Sequence, residues 1–232
     1  LSGFGVSNRG GAESSALGDL ARVGEVVLQD SELLYIDERF DLRLGITNLE
    51  GRLMLEGSEF SAEASAQLFD SRSELHFGDV EGTLLLSLDE AQKMQGARWQ
   101  GSLSQVMLAA FQGKVPPTPF LPLTGLLDSD LWGEWSREQG HRMSGMTVLT
   151  DALLSNEYQD IHLEQLDYKF QWRFKATRDW NLHLADFHFD DGTHEWTTPR
   201  LSMARNTSRN LGLWISADEL PLGVPLNLTR DV

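Results

Sequence analysis

Six residues able to bind a metal or move a proton crowd into positions 183–194: His183, Asp186, His188, Asp190, Asp191 and His194. A zinc ion needs three or four such donors converging on one point. In a regular strand His183 and His188, five apart, point to opposite faces. The apolar phase, however, slips between Leu182/Leu184 and Phe187/Phe189. A bulge near Ala185 accounts for that slip and puts both imidazoles on the polar face. They would still lie ~15 Å apart at ~3.3 Å per residue, too far to share an ion. The spacing therefore predicts a solvated strand face that ends in an Asp190-Asp191-Gly192 turn.

Carboxylate pairs for hydrolysis can be assembled from Glu134, Asp151, Glu164 and Asp167, because 35 acidic residues always supply pairs. None has a sequence neighbour that would tune its proton affinity for acid–base work. A nucleophile elbow, a phosphate-binding loop and a zinc-binding helix motif are all missing. Gly3-Phe4-Gly5 precedes no helical pattern, and Asn206 and Asn227 open sequons that matter only in a glycosylating pathway. With no cysteine there is neither a disulfide nor a thiolate ligand or nucleophile. The expectation is a protein without catalytic residues, metal or cofactor.

The elements that carry these residues are strands. Leu166, Tyr168, Phe170, Trp172 and Phe174 alternate with Asp167, Lys169, Gln171, Arg173 and Lys175. A helix would scatter the five large side chains around its circumference, so this is a strand with one apolar face. Phe60, Ala62, Ala64, Ala66 and Leu68 form a second such row, and Val80, Gly82, Leu84, Leu86 and Leu88 a third. Leu42, Leu44 and Ile46, then Leu211, Leu213 and Ile215, repeat it. Turn residues separate the rows at Gly57-Ser58, Asp70-Ser71, Asp89-Glu90, Glu138-Gln139-Gly140, Asp190-Asp191-Gly192 and Asn206-Thr207. About a dozen strands at such intervals make hairpins and meanders, not βαβ units.

One helix is predicted over 103–112, because Leu103, Val106, Met107, Ala110 and Phe111 share a helical stripe. The run that follows, Lys114 to Pro122, holds four of the seven prolines and reads as a connector. The expected organisation is a linker-like 1–23, a first β subdomain over 24–113, a connector at 114–122 and a second β subdomain over 123–232. Nineteen Lys and Arg against 35 Asp and Glu give a net charge of −16, which repels a nucleic-acid backbone. No apolar run approaches the ~18 residues of a membrane-spanning helix.

From about residue 24 onward the order of features resembles the periplasmic AsmA-like superfamily, and within it the large YhdP-type proteins. The segments that carry the resemblance are Gly24 to Asp37, with the alternating strand closing on Ile46-Thr47-Asn48-Leu49; Ala97-Arg98-Trp99-Gln100-Gly101-Ser102-Leu103; and Asp179 to Asp186 with Asp191-Gly192 and Trp196. The resemblance implies a fragment of the periplasmic region of a protein anchored in the inner membrane of a Gram-negative envelope, the anchor lying outside this fragment. It further implies a curled β-sheet with an apolar trough that conducts phospholipids between the two membranes, and no enzymatic activity.

Physical reasoning is compatible with that role, since acyl chains crossing water cost ~25 cal/mol per Å² of exposed apolar surface. On this reading the trough is lined first by Leu166, Tyr168, Phe170, Trp172 and Phe174. Val80, Leu84, Leu86 and Leu88 come second, then Phe60 and Leu68, with the 103–112 helix as a cap. The expected partners are phospholipid acyl chains and neighbouring segments of the same parent chain. The rival is a β-sandwich interaction or structural module in which two inward faces seal each other and hold no ligand. Alternation alone does not separate the two, nor does it decide whether the seven tryptophans pack a core or line a groove.

Overall fold

Alternation sustained over 11 to 16 residues builds unusually long strands, and in the computed structural model these are joined in order into one sheet. The structure describes residues 24–37, 42–70, 75–89, 93–111, 122–155, 160–174, 179–206 and 212–218. The strands are β1 (Glu25–Asp37), β2 (Leu42–Glu56), β3 (Glu59–Asp70), β4 (His76–Leu88), β5 (Met94–Met107), β6 (Pro122–Ser136), β7 (Gly140–Ser155), β8 (Asp160–Phe174), β9 (Trp180–Asp190), β10 (Glu195–Asn206) and the shorter β11 (Gly212–Ala217). Each pairs antiparallel with its sequence neighbours, so the spatial order is the chain order and β1 and β11 form the two edges. Ten intervals of ~4.8 Å make the sheet ~48 Å wide.

The sandwich alternative is overturned. A sandwich needs the chain to double back into a second layer, and the described strands form a single open sheet. The sheet continues from β5 to β6, whose register runs from Gly96–Ser136 to Met107–Leu126. The proline run at 114–121 lies outside the described residues, and Pro122 opens β6. The predicted turns at Gly57-Ser58, 138–140 and 190–192 are present. Those at Asp70-Ser71, Asp89-Glu90 and Asn206-Thr207 reach into undescribed residues.

The predicted helix over 103–112 is corrected as well. Leu103 to Met107 belong to β5, and only Leu108–Phe111 form a 3₁₀ turn. The cause is a bulge: Gln105 takes a left-handed φ of 54°, and the pairing with β6 slips between Leu103 and Val106. One inserted residue converts the i, i+2 spacing of a strand face into i, i+3, which imitates a helical stripe.

That bulge is one of a series. Asp30 in β1, Asn48 in β2, Gln105 in β5, Asp151 in β7 and Asp186 in β9 all have φ between 44° and 54°, while Gly78 in β4 and Gly125 in β6 have φ of 155° and 120°. Four of the five non-glycine positions are Asp or Asn, the residues that best tolerate the left-handed region after glycine. Most lie close to one line across the strands, which can be followed through the partners Thr47–Gln67, Gln67–Asp79 and Asp79–Ser104, then Asp128–Val148, Val148–Asp167 and Asp167–His188. The backbone N–H of Gln105 donates to Asp128 Oδ1 at 2.9 Å and closes the gap. Since each bulge bends its strand, the sheet is creased along this line.

Burial follows the crease. Leu68, Phe77 and Val106 form one buried apolar cluster, and Leu149, Ala152 and Leu163 another. Met107, Ala110 and Phe111 pack on the first and Leu108 on the second, so the 3₁₀ turn bridges β3–β5 and β7–β8 across the apolar side. Phe111 meets Phe77 edge to face with ring centres 5.3 Å apart. Toward the strand ends burial thins, and Trp172 and Phe174 are 40% and 36% exposed. The apolar face is therefore the inside of the crease.

Candidate functional site: an apolar sheet face

The register shows which residues share that face. Leu166 stands opposite Leu149 and Phe189, Phe170 opposite Gly145 and Leu184, Trp172 opposite Met143 and Leu182, and Phe174 opposite His141 and Trp180. Phe60, Ala62, Ala64, Ala66 and Leu68 pair with Leu86, Leu84, Gly82, Val80 and Gly78. All three rows singled out from sequence thus lie on one apolar face, which runs from Val26 and Leu28 in β1 to Leu201 and Met203 in β10. Within it Leu68 and Leu88 are buried, and Val80, Leu84, Leu86, Phe60, Leu166, Tyr168 and Phe170 are partly exposed. Among the described residues only the 3₁₀ turn lies over the face; no second sheet covers it.

A lane of small side chains crosses the strands beside the crease. Gly51, Ala64, Gly82, Gly101, Leu131 and Gly145 are successive cross-strand partners, five of the six being Gly or Ala. Larger residues flank it, with Val80, Leu103 and Tyr168 on the crease side and Leu84, Trp99, Met143 and Trp172 on the other. The two flanking rows are four residues apart along the strands, or ~13 Å. The Trp99 indole occupies the space a Cβ on Gly133 would need, and at Gly145 the Asp130 backbone carbonyl, then the Phe170 ring, does the same. No side chain fits beneath the Trp99 ring at Gly133, nor against the Asp130 carbonyl and the Phe170 ring at Gly145.

The hydroxyls on the apolar face of β6–β8 satisfy one another. Ser129 and Thr147 are buried side by side with hydroxyls 2.9 Å apart, and Ser129 donates to the Met146 carbonyl at 3.1 Å. Tyr168 bonds to Thr147; burial raises its phenol above the ordinary value, and the Thr147 bond offsets part of the rise. The indole N–H of Trp196 is buried without a partner among the described residues, beside Phe187 at a ring separation of 4.9 Å. Strand alternation gave no warning of this hydroxyl row, because Ser129 and Thr147 fall in the apolar phase of β6 and β7.

The six residues of the 183–194 cluster take separate partners. Asp186 is the bulged residue, and the β8–β9 pairing slips between Asp167 and Lys169. His183 Nδ1 lies 2.9 Å from Ser202, Asp186 accepts from Lys169 at 2.7 Å, and His194 sits 3.2 Å from Asp191. Asp191 and Asp190 accept backbone N–H groups of the turn at Gly192, with φ of 78°. Burial pushes the Asp191 carboxyl up, but the N–H groups of His194 and Thr193 leave it below its usual value. His188 lies between two carboxylates, Asp167 at 2.8 Å and Glu195 at 3.3 Å. The hydrogen bond to Asp167 raises its pKa against an opposing effect of desolvation. Among the described residues no three His, Asp or Glu side chains are arranged to hold a metal ion.

The opposite, polar face carries two surface depressions, about 690 and 670 Å³, over β1–β7. A twisted sheet is saddle-shaped, so a face bent inward along its strands is bent outward across them. Among the described residues no helix is long and apolar enough to cross a membrane. Compared with known protein families, with curated proteins and with solved structures, the chain shows no match.

Proposed function

We propose that this chain is a non-enzymatic segment of an AsmA-like, YhdP-type envelope protein, and that its creased apolar face binds and conducts phospholipid acyl chains between two membranes. The observation that carries the reading is one open sheet whose inner face is apolar from β1 to β10, with no second layer over it among the described residues. Each methylene withdrawn from water onto such a face is worth ~0.8 kcal/mol. Apolar contact is non-directional, so a chain lying along the small-residue lane slides from strand to strand without breaking specific bonds. The charged headgroup stays in solvent at the rim, where its desolvation costs nothing. Location in the periplasm, on a protein anchored in the inner membrane by a segment outside this fragment, belongs to the same proposal.

Photocrosslinking tests it. A lipid with a photoreactive acyl chain should label Leu84, Phe170 and Trp172 on the inner face and spare Thr83 and Gln171 beside them on the outer face. Equal labelling of both faces would sink the proposal.

A further inference from the structure

The polar face holds a feature the acyl-binding reading does not use. In one cross-strand ladder Arg98 of β5 stands opposite Glu134 of β6, Glu134 opposite Arg142 of β7, and Arg142 opposite Arg173 of β8. Arg142 donates to Glu134 Oε1 at 2.8 Å. Among the described residues Arg98 and Arg173 form no ion pair. Like charges placed directly opposite on neighbouring strands repel, so the Arg142–Arg173 pair costs stability. It does so in a chain of net charge −16, where acidic partners are plentiful. Two guanidinium groups left without an ion-pair partner among the described residues, one of them facing a third arginine, mark a surface shaped by something outside the chain.

The surroundings indicate what that is. Two adjoining depressions, about 690 and 580 Å³, share Leu85, Arg98, Glu134 and Arg142. Trp132 lines the first and is 48% exposed, with Met54 also in its wall. Exposed Trp, Arg and Met on one patch are the residues that dominate protein–protein contacts. The three guanidinium groups are spread from β5 to β8, ~14 Å at ~4.8 Å per strand. A compact anion cannot reach all of them, whereas an extended polypeptide can.

We infer that this face docks an acidic polypeptide segment, its carboxylates on Arg98, Arg142 and Arg173 and an apolar side chain against Trp132. The test uses the 232-residue chain and a fluorescein-labelled dodecapeptide of eight Glu and four Leu, followed by anisotropy at low ionic strength. A second dodecapeptide carries Lys in place of Glu. The Glu peptide should bind, Arg98→Glu and Arg173→Glu should each weaken it at least tenfold, and Arg200→Glu elsewhere on the polar face should leave it unchanged, with far-UV circular dichroism constant throughout. Binding of the Lys peptide alone, as net charge by itself dictates, would overturn the inference. So would an equal loss in Arg200→Glu, or capture by anionic vesicles without binding of the Glu peptide.

Discussion

Individual residues decide how close the sheet's parts can approach and how they respond to pH. Gly133 is a packing requirement: a side chain there would occupy the Trp99 ring. Gly133→Val should cost ~1–3 kcal/mol through overpacking, read as a lower urea midpoint with an unchanged m-value. His188 makes a different prediction. Its pKa is raised chiefly by the hydrogen bond to Asp167, so its imidazole should titrate above the ordinary ~6.5 in an NMR titration, and Asp167→Asn should bring it down. Because the folded value lies above the unfolded one, the stabilisation is complete below pH ~6.5 and is lost as pH rises through the folded value. For a pair this close to the surface that amounts to about 1 kcal/mol. A His188 that titrates at or below the ordinary value would contradict the assignment.

At the scale of elements, the strand faces are legible in the sequence and the bulges only partly so. Side chains on a strand alternate with a period of two, and the row from Leu166 to Phe174 states that without ambiguity. A bulge shifts the phase by one, and its meaning depends on what stands around it. Near Ala185 the flanking polar residues expose the slip, and the structure places the bulge at Asp186. At Gln105 the same insertion sits among apolar residues and imitates a helix, so Leu103 to Met107 read as helical although they form a strand. The ladder of Arg98, Glu134, Arg142 and Arg173 is not legible, since it depends on register between strands up to ~75 residues apart in sequence. If the left-handed positions crease the sheet, they should tolerate glycine and resist β-branching. Asp151, with φ of 49°, is the test: Asp151→Val should lower stability by ~1–2 kcal/mol and Asp151→Gly should be close to neutral by chemical denaturation. Equal effects would mean that the bulge does not depend on backbone conformation.

On the scale of the whole molecule, one sheet offers two unlike surfaces: an apolar inner face along the crease and a charged outer face with arginine-lined depressions. An apolar face left open to water is costly, and large uncovered patches mark surfaces that meet something else. Acyl chains are the proposed occupant of the inner face. The most direct test is to extract the purified 232-residue chain with organic solvent and quantify lipid by mass spectrometry. An acyl-binding face should yield phospholipid in stoichiometric amount, falling severalfold when Phe170 and Trp172 are both changed to Asp while the far-UV spectrum stays the same. A stable, folded protein that yields no lipid would contradict it.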